Sequence, residues 1–477
     1  MPSAPVVPDR TRSSTVPAVH SESSLSPGTV ALQVRPSGVE RVRRGAQTLR
    51  REDLHALPAG LPVGSAVILC DERGRSLGSG FLAAPGPTSL AVRLFDRQGA
   101  PLSDAQLLAR ILHASALRQS MWPAMLDGIG LSGRDAYRVV HGEADGLPGL
   151  FIDRYGDAAV LQTATAAMDA RKARIAELLV QHLGVTWVLC RDDGSARDLE
   201  GLPRERRVLL DARPSAVRGL QPGSEASRAV AQPTLAAYHD AGSRMQADLL
   251  FDKKTGSFLD QQDNHALAAA YARRLFGTGD RPPGCATGAA PTALDTFTYH
   301  GGFALALARA GLQVLACDED RDAILRARHN AELNQVAVDF RIENAFDLLR
   351  RLEGQGARFD VVVVDPPALA KRGRDRGAGR TPGGASGSDE QSAWARAYRE
   401  LNLRAMRLLS PDGLLVSCSC SGRVSPALFG DILQGAASDA GRSMQLLERR
   451  GAGPDHPVRL GWADSEYLKC WILRALP

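Results

Sequence analysis

The sequence predicts an α/β protein whose C-terminal part is a parallel sheet covered by helices on both faces. The first observation is a series of short apolar runs with the length and residue types of strands, at 293–299, 314–318, 338–342, 359–365 and 414–419. The second is that helical stretches alternate with these runs, including 321–334 and 394–409. Strands that are apolar throughout, rather than at every second position, are typical of a sheet that is buried on both faces.

The composition is that of an ordinary folded protein. The chain has 477 residues, 44% of them hydrophobic and 23% charged, and this length allows about two to four domains. No run approaches the roughly 18 apolar residues of a membrane span, and the N-terminus lacks the apolar core of a secretory signal. Seven scattered cysteines without a CxxC pair favour a reducing cytoplasm over a disulfide scaffold or a zinc site. The net charge of +5 is compatible with a nucleic-acid partner.

The N-terminal part is predicted to be a small β-barrel behind a disordered leader. Residues 1–28 are rich in Ser, Pro and Thr, which predicts disorder. Within 29–100, a hairpin is predicted from 65–70 and 76–84, with a third strand at 89–95. Arginines flank this region and form either a basic binding edge or a solvated charged edge. They are Arg35, Arg41, Arg43, Arg44, Arg50 and Arg51.

Residues 101–250 are predicted to form a linking helix and a small α+β domain. Ser103 has the position of an N-cap. The helix after it has one apolar face, made of Leu107, Leu108, Ile111 and Leu112. Strand-like runs follow at 137–141, 150–153, 158–163 and 186–190, with a helix that carries Ile175, Leu178 and Leu179 on its apolar side.

Residues 251–477 are predicted to be the sheet domain, and the ends of its strands carry the candidate chemistry. In open α/β sheets the ligand lies outside the carboxyl ends of the strands. Gly301 and Gly302 follow the first strand and precede a helix, which is either a plain tight turn or a close approach to a ligand. Asp318 ends the next strand, where an acid can accept both hydroxyls of a ribose. Without a third glycine, an adenosyl ligand that has no pyrophosphate is favoured, which indicates S-adenosylmethionine.

A second group of candidates follows the strand 359–365. Asp365, Pro366 and Pro367 present a carboxylate and rigidly held carbonyls with no competing N–H. They form either a simple strand stop or an acceptor cluster for the edge of a planar base. Ala368 stands where many amino-group methyltransferases have an aromatic residue, which disfavours that chemistry. The Gly-rich segment 372–392 is predicted to be a mobile insertion near this edge.

The next strand ends in Cys418 and Cys420. If it pairs with the strand before Asp365, the two strand ends lie about 4.8 Å apart. A thiol opposite an acceptor cluster fits methylation at C5 of a cytosine, because C5 becomes nucleophilic only after a thiolate adds to C6. The alternatives are buried structural thiols and a CxC metal or redox pair.

Six stretches, in one order, resemble the bacterial 23S rRNA 5-methylcytosine methyltransferases that carry an N-terminal PUA domain. They are YRVVHGEADGLPGLFIDRYGD (137–157), KKTGSFLDQQDN (253–264), FTYHGGF (297–303), VVDPPALAK (363–371), SCSCSG (417–422) and DHPVRLGWADSEYLK (455–469). The resemblance runs from about Val30 to the C-terminus. It implies a PUA-like RNA-binding barrel, a small central domain and a Rossmann-like methyltransferase domain that uses S-adenosylmethionine. Its expected partner is RNA, either 23S rRNA or a large-subunit precursor, without a membrane or a metal.

The resemblance also implies the roles of individual residues. Cys420, rather than Cys418, corresponds to the nucleophile, with Asp365 and Pro366 as the other catalytic residues. The cofactor-binding residues would be Phe297, Tyr299, Gly301, Gly302, Asp318, Asn344, Asp365 and Asp260. The chain departs from the family pattern at Gln262, where an Arg is usual, at Asn344, where an acid is usual, and at His300, where a Thr is usual.

The implied reaction begins with attack of Cys420 on C6 while Asp365 and the Pro366 carbonyl hold the N3 and N4 edge of the base. The base must be unpaired or flipped out of a helix to meet both groups. Relatives that make 7-methylguanosine lack this cysteine, so Cys420 decides between the two reactions. Two alternatives stay open from the sequence. One is an rRNA guanine or amino-group methyltransferase with a structural Cys420, and the other is a non-catalytic RNA-binding protein.

Overall fold

A computed structural model describes residues 30–477, apart from 86–88, 101, 127–133, 215–233, 278–289, 370–386 and 463–464. The predicted leader, 1–28, and most of the predicted mobile insertion lie outside the described residues. In the part that is described, the chain forms three larger sheets and one separate hairpin. No helix among these residues is both long enough and apolar enough to cross a membrane.

The N-terminal sheet has five strands in the order β1-β3-β4-β5-β2. The strands are β1 (Val30–Gln33), β2 (Thr48–Arg50), β3 (Ala66–Cys70), β4 (Ser76–Leu82) and β5 (Leu90–Asp96), and helix α1 spans Pro36–Arg43. The predicted hairpin is present as the antiparallel pair β3 and β4. Its turn is closed by Asp71, whose carboxylate accepts from the backbone N–H groups of Arg73 and Arg75.

The flanking arginines of this sheet are only partly engaged in local contacts. Arg35 Nε donates to the carbonyl of Leu54, and Arg44 pairs with Glu40. Arg41 lies 3.5 Å from the carboxylate of Asp53. Five of the six arginines are exposed to solvent: Arg35, Arg43, Arg44, Arg50 and Arg51.

The middle of the chain forms a second five-stranded sheet in the order β10-β9-β8-β7-β6. Helix α2 spans Asp104–Leu126. It is followed in chain order by β6 (Ala136–His141), β7 (Leu150–Tyr155), β8 (Ala158–Thr163), α3 (Ala166–Asp169), α4 (Lys172–Leu183), β9 (Trp187–Asp192) and β10 (Glu205–Asp211). Ser103 caps α2 as predicted, because its Oγ accepts from the Gln106 N–H while Gln106 Oε1 accepts from the Ser103 N–H. Leu112 does not belong to the apolar face: it is exposed, whereas Leu107 and Ile111 are buried.

A hairpin of β11 (Leu235–Asp240) and β12 (Ser243–Asp248) leads into the C-terminal sheet, whose order is β15-β14-β13-β16-β17-β19-β18. The strands are β13 (Thr292–Thr296), β14 (Gln313–Asp318), β15 (Val338–Ile342), β16 (Phe359–Val364), β17 (Leu409–Ser419), β18 (Met444–Arg450) and β19 (Lys469–Ala475). The helices are α5 (Gln262–Phe276), α6 (Gly302–Arg309), α7 (Arg321–Leu333), α8 (Ala345–Gly354), α9 (Gly387–Leu408) and α10 (Pro426–Ala440). The strands β13 to β17 are mutually parallel, and β19 runs antiparallel to both of its neighbours.

The burial of β16 shows why this sheet could be predicted. Val361 and Val363 pack into one hydrophobic cluster, while Val362 and Val364 pack into another on the opposite face. Because side chains alternate along a strand, a run of four valines requires an apolar layer on each side. The prediction of a doubly covered parallel sheet is confirmed.

Two predicted boundaries are wrong. The strand expected to end at Tyr299 ends at Thr296, because Phe297 and Tyr299 have positive φ angles of 64° and 50°, which a strand cannot contain. Helix α9 begins at Gly387 and not at 394, so the last six residues of the predicted insertion, 387–392, are helical. The antiparallel strands β18 and β19 were not expected.

Arg118 joins the middle and C-terminal parts of the chain through one buried contact. Its side chain is fully buried in α2 and donates to both carboxylate oxygens of Asp145, at 2.6 and 2.8 Å. It also donates to the carbonyl of Asp455, which lies in the segment between β18 and β19. A bidentate guanidinium contact of this kind fixes the orientation of both partners.

Replacing Arg118 by Met should destabilise the protein by about 3–5 kcal/mol, because it leaves the buried carboxylate of Asp145 without its cation. Urea unfolding followed by circular dichroism measures this change. Arg174→Met is the matched control, since Arg174 pairs with Asp104 on the exposed surface and should change stability by no more than about 1 kcal/mol. Equal effects of the two variants would contradict a structural role for the buried contact.

Candidate active site

A cavity of about 440 Å³ lies outside the carboxyl ends of β13, β14 and β16. The sequence-predicted residues that line it are Asp260, Phe297, Tyr299, Gly302, Asp318, Asp365, Pro366 and Cys420. Gly301 and Asn344 are not among the lining residues. The structure therefore brings the predicted catalytic residues and most of the predicted cofactor residues to one place.

The loop after β13 is held in a strained conformation that turns its backbone toward the cavity. The Tyr299 N–H donates to Asp318 Oδ2 at 3.0 Å, and the Thr298 N–H donates to the carbonyl of Cys317. Tyr299 is fixed from a distant segment, because its hydroxyl oxygen accepts from the backbone N–H of Lys253 at 2.7 Å. Positive φ angles at non-glycine residues are costly and persist where surrounding contacts impose them.

Asp318 has the position expected of a group that binds ribose. It is the last residue of β14, and its Oδ1 accepts from the Asp320 N–H at 3.0 Å. Two backbone N–H groups thus hold the carboxylate in a fixed orientation at the cavity wall. An ionised carboxylate has about four acceptor sites, so it can still accept from ligand hydroxyls.

Asn344 makes different contacts from those its predicted role requires. It caps α8, where its Oδ1 accepts from the Phe346 N–H at 3.0 Å. Its Nδ2 donates to Glu319 Oε2 at 3.2 Å, and it is Glu319 that lines the cavity. The role of Asn344 toward an adenine stays a prediction.

His300 and Gln262, two departures from the family pattern, are both buried. The His300 ring stacks on Tyr299 with centroids 3.7 Å apart, and its Nε2 lies 3.6 Å from Asp252. Burial and the nearby Arg326 lower the pKa of His300 to about 3, so the ring is neutral. Gln262 does not line the cavity, and its Nε2 donates to the carbonyl of Ala136.

The two cysteines at the end of β17 have different surroundings. Cys418 is fully buried inside the sheet, where the register of β17 and β19 places it opposite Cys470. Cys420 lines the cavity, and its Sγ lies 4.0 Å from the carbonyl oxygen of Pro366. The parallel register places Val364 opposite Ser417, so the residues after both strands leave the sheet side by side. The geometry singles out Cys420 as the thiol that faces the acceptor cluster.

The charges at this edge disfavour ionisation of both reactive groups. Burial, and then the negative charge of Asp365, raise the pKa of the Cys420 thiol to about 11. Burial, and then the charge of Asp260, raise the pKa of Asp365 to about 6. Gln261 partly offsets this effect, because its Nε2 donates to Asp365 Oδ2 at 2.9 Å. The ionised carboxylate of Asp365 therefore favours the neutral form of the Cys420 thiol.

Asp260 keeps its negative charge to lower pH than Asp365 does. Although burial opposes its charge, Lys254 and His456 hold the pKa of Asp260 below its usual range. Lys254 Nζ donates to both carboxylate oxygens, at 2.7 and 3.0 Å, and the Tyr467 hydroxyl donates to Oδ2 at 2.7 Å. These contacts make Asp260 a fixed negative charge in the cavity wall.

Three polar residues of the site were not anticipated from the sequence. Asp295 lies inside β13, and burial raises its pKa to about 7. Its Oδ2 accepts from Thr298 Oγ1 at 2.6 Å, while its Oδ1 has no partner among the described residues. His265 and Asp240 line the cavity and contact one another, with Nδ1 3.0 Å from the carboxylate. The sequence did carry a signal for Asp295, because it is a carboxylate inside an otherwise apolar strand. It carried no signal that Asp240 and His265, which are 25 positions apart, would contact one another.

One group of possible metal ligands lies away from the cavity. The ligand atoms of Cys190, Asp192 and Glu205 are within 4.8 Å of one another. The ammonium group of Lys172 already lies among them, 2.7 Å from Asp192 and in contact with Glu205. A cation is thus supplied by the chain itself.

The residues around the cavity fit S-adenosylmethionine. Asp318, at the cavity wall, is positioned for a ribose. Carboxylates outnumber basic side chains in the lining, which favours a ligand that carries positive charge.

Comparison with known proteins supports this assignment. Residues 32–97 match the PUA-like domain family. The ribosomal RNA large subunit methyltransferase I of Erwinia tasmaniensis is 30% identical over 418 residues, which is 87% of this chain and 91% of that protein. The protein of the same name from Tolumonas auensis is 31% identical over 417 residues, with the same coverage.

The fold is also found in solved structures. A protein of Streptococcus mutans, assigned as a SAM-dependent methyltransferase, superposes with a TM-score of 0.66 and 16% identity, covering 93% of this chain and 100% of that one. Another structure, assigned as a methyltransferase and complexed with SAH, has the same TM-score and identity and covers 94% and 99%.

These findings confirm the resemblance, the fold class, the methyltransferase activity and the cofactor, S-adenosylmethionine, that the sequence predicts. The identity, extended over most of both chains, places the protein in a single family. The chain belongs to the ribosomal RNA large subunit methyltransferase I family.

Proposed function

We propose that this chain methylates C5 of a cytosine in large-subunit (23S) rRNA through a covalent adduct between Cys420 and C6, and that it does so in the cytoplasm. One observation carries the proposal: a cavity-facing thiol stands 4.0 Å from the Pro366 carbonyl, beside Asp365. Methylation of an exocyclic amine or of a ring nitrogen needs no nucleophile in this position. C5 methylation needs one, because C5 acquires electron density only when a nucleophile has added to C6.

Asp365 and Cys420 are a proton acceptor and a proton donor that stand side by side in the resting protein. Asp365 has a pKa of about 6 and can exchange a proton near neutral pH, while the Cys420 thiol, with a pKa of about 11, keeps its proton in the resting protein. In the proposed step, Asp365 takes up the proton that leaves Cys420 and donates it to N3 of the cytosine. The sulfur then forms a bond to C6, and the electron pair of the C5–C6 bond moves toward C5. Protonation of Asp365 also removes the charge that opposes the thiolate.

S-adenosylmethionine supplies the methyl group from its sulfonium. Release of the product then requires that the C5 proton pass to solvent, that the electrons of the C5–H bond re-form the C5–C6 double bond, and that Cys420 leave as a thiolate. N3 returns its proton to Asp365, which can then reprotonate the thiolate. Asp365 and the Pro366 carbonyl hold the N3 and N4 edge of the base throughout, so the ring cannot rotate away from the sulfur. Asp365 and Pro366 follow β16 while Cys420 follows the paired strand β17, which makes the geometry between the base edge and the sulfur rigid.

The remaining roles of the cavity residues are part of the same proposal. Asp318 would bind the ribose hydroxyls, and Phe297 and Tyr299, with the backbone at Gly301 and Gly302, would surround the cofactor. Asp260 would act through its charge on Asp365. The N-terminal sheet, with its exposed arginines, would bind RNA mainly through phosphate groups, so that the affinity falls with rising salt.

Cys420→Ala should abolish methyl transfer while leaving cofactor binding unchanged, because the thiol forms the bond that activates C5. The assay uses labelled S-adenosylmethionine and rRNA that lacks its own modifications, followed by nucleoside digestion and mass spectrometry. The wild type should yield 5-methylcytidine and should form a stable adduct with RNA that contains 5-fluorocytosine; the variant should do neither.

Cys418→Ala is the matched control. It removes a thiol two residues away that is buried between the strands, so it should keep activity and adduct formation. Label in guanine, or in an exocyclic amine, would show that Cys420 is structural. Cofactor binding without transfer to any RNA would refute the proposed substrate.

Asp365→Asn should make Cys420 more reactive toward iodoacetamide above pH 6, although it impairs methylation. Asp365 is ionised above its pKa of about 6 and then raises the pKa of Cys420. A neutral Asn at position 365 should lower the pKa of Cys420. Alkylation of Cys420 at a given pH then becomes about tenfold faster for each unit by which the pKa of Cys420 falls. Below pH 6 the carboxyl is protonated and the two proteins should react alike.

The measurement is the rate of modification of the Cys420 peptide by mass spectrometry between pH 5 and pH 10. Asp318→Asn, which removes another carboxylate of the cavity, is the control and should leave the profile unchanged. Identical profiles for Asp365→Asn and the wild type would show that the two groups are not coupled.

A further inference from the structure

Lys469 is a buried lysine at the start of β19, beside the strand end that carries Cys420. The antiparallel register of β17 and β19 places it opposite Ser419. Its Nζ donates to the carbonyl of Ser421 at 2.6 Å and to the carbonyl of Tyr467 at 2.8 Å. The ammonium group is therefore held against the backbone of the residue that directly follows Cys420.

The charge of Lys469 has no matching anion in the resting protein. Only 2% of the residue is exposed, and its ammonium group forms no salt bridge within the described ranges. Glu466 favours the charge, but it lies on the exposed surface. Buried charges in proteins are ordinarily paired, as Lys172 is with Asp192 and Glu205. An unpaired buried ammonium favours the formation of a negative charge close to it.

The neighbouring group that can become negative is the Cys420 thiol. Burial lowers the pKa of Lys469 to about 8, and Cys420 is the largest of the influences that oppose this effect. Lys469 therefore keeps its proton at neutral pH and interacts with charge on the sulfur. It does not line the cavity, although its neighbour Leu468 does. Its field reaches the sulfur through protein, where screening is weaker than in solvent.

The other titratable groups around Cys420 do not provide such a charge. Asp365 and Asp260 oppose a thiolate, whereas Lys254 favours one. The charge of Lys254 is offset, because its Nζ donates to both carboxylate oxygens of Asp260. Tyr398, on α9, also interacts with the sulfur, but burial raises its pKa to about 12 and it is neutral. None of these groups supplies an uncompensated positive charge.

We propose that the positive charge of Lys469 stabilises the Cys420 thiolate, both when the sulfur attacks the base and when it is expelled from the product. The place of this effect in the reaction rests on the proposed function. Lys469 acts through Cys420 and does not touch the base, so it is a positioning residue and not a catalytic one. A charge that is fixed beforehand stabilises a developing charge without the cost of reorganisation.

The test is the rate at which iodoacetamide modifies Cys420 in the wild type, Lys469→Met and Lys469→Gln, followed by peptide mass spectrometry between pH 6.5 and pH 10. Below pH 8, where Lys469 is charged, both variants should react about 10- to 100-fold more slowly, because loss of a nearby cation raises the pKa of the thiol. Above pH 8 the wild type loses this charge, so the three rates should converge. The maximal rate of methyl transfer should fall by a similar factor, with an unchanged dissociation constant for S-adenosylhomocysteine.

Lys253→Met is the matched control. It removes a lysine of the cavity lining whose charge is paired with Asp320, 3.0 Å away, and should leave the alkylation profile of Cys420 unchanged. Lys469→Gln keeps an N–H donor for the backbone carbonyls without the charge. If it reacted like the wild type below pH 8, the hydrogen bond would suffice and the proposal would fail.

The proposal would also fail if the Lys469 variants were slower by the same factor at every pH, since a changed shape of the site would have that effect. These outcomes do not depend on the RNA substrate. A wild type that formed no 5-methylcytidine would instead refute the proposed function and leave the alkylation result in place. Thermal unfolding identifies a variant that does not fold, and if Lys469→Met is lost in this way, Lys469→Gln carries the comparison.

Discussion

The parallel pairing of β16 with β17 is the constraint on which the candidate active site depends. Val364 lies opposite Ser417, so Asp365 and Cys420 emerge at the same edge of the sheet. Helix α9 fixes this register through buried side chains: Ser417 Oγ donates to Asn402 at 2.6 Å, and Ser419 Oγ donates to Tyr398 at 3.1 Å. A slip of one residue would turn both serines to the other face and leave buried hydroxyls without partners, which is costly.

The sheet edge also concentrates carboxylates, and this shapes what can bind there. Asp295 and Asp365 are buried with raised pKa values, while Asp260 keeps its charge through Lys254. Bringing these groups together costs free energy, as functional sites often do. A positively charged ligand reduces that cost, so the unfavourable electrostatics of the free protein and the affinity for a sulfonium have the same physical origin.

The parts of the site that the sequence predicted depend on local chain geometry. Asp318, Asp365 and Cys420 were found because each stands at or just after the end of an apolar strand, where a parallel sheet collects its functional groups. The strand end at Tyr299 was misplaced because the positive φ there depends on a contact with Lys253, 46 residues away. The pairing of His265 with Asp240 was missed for the same reason, because it too is a contact between residues that are far apart in the sequence. The position of Asn344 was missed as well, since its role as a helix cap competes with the contact expected of it.

The segment between β18 and β19 links the packing of the domains to the charged residues of the cavity. Asp455 accepts from the backbone N–H of Arg138 at 3.0 Å and is tied to α2 by Arg118. Twelve positions further along the chain, Tyr467 donates to Asp260. Asp260 is in turn the charge that, after burial, raises the pKa of Asp365. The central domain therefore does more than separate the N-terminal sheet from the C-terminal sheet, because it contacts the segment that carries Tyr467, a hydrogen-bond donor to Asp260. Through the charge of Asp260, the packing of the domains influences the pKa of Asp365.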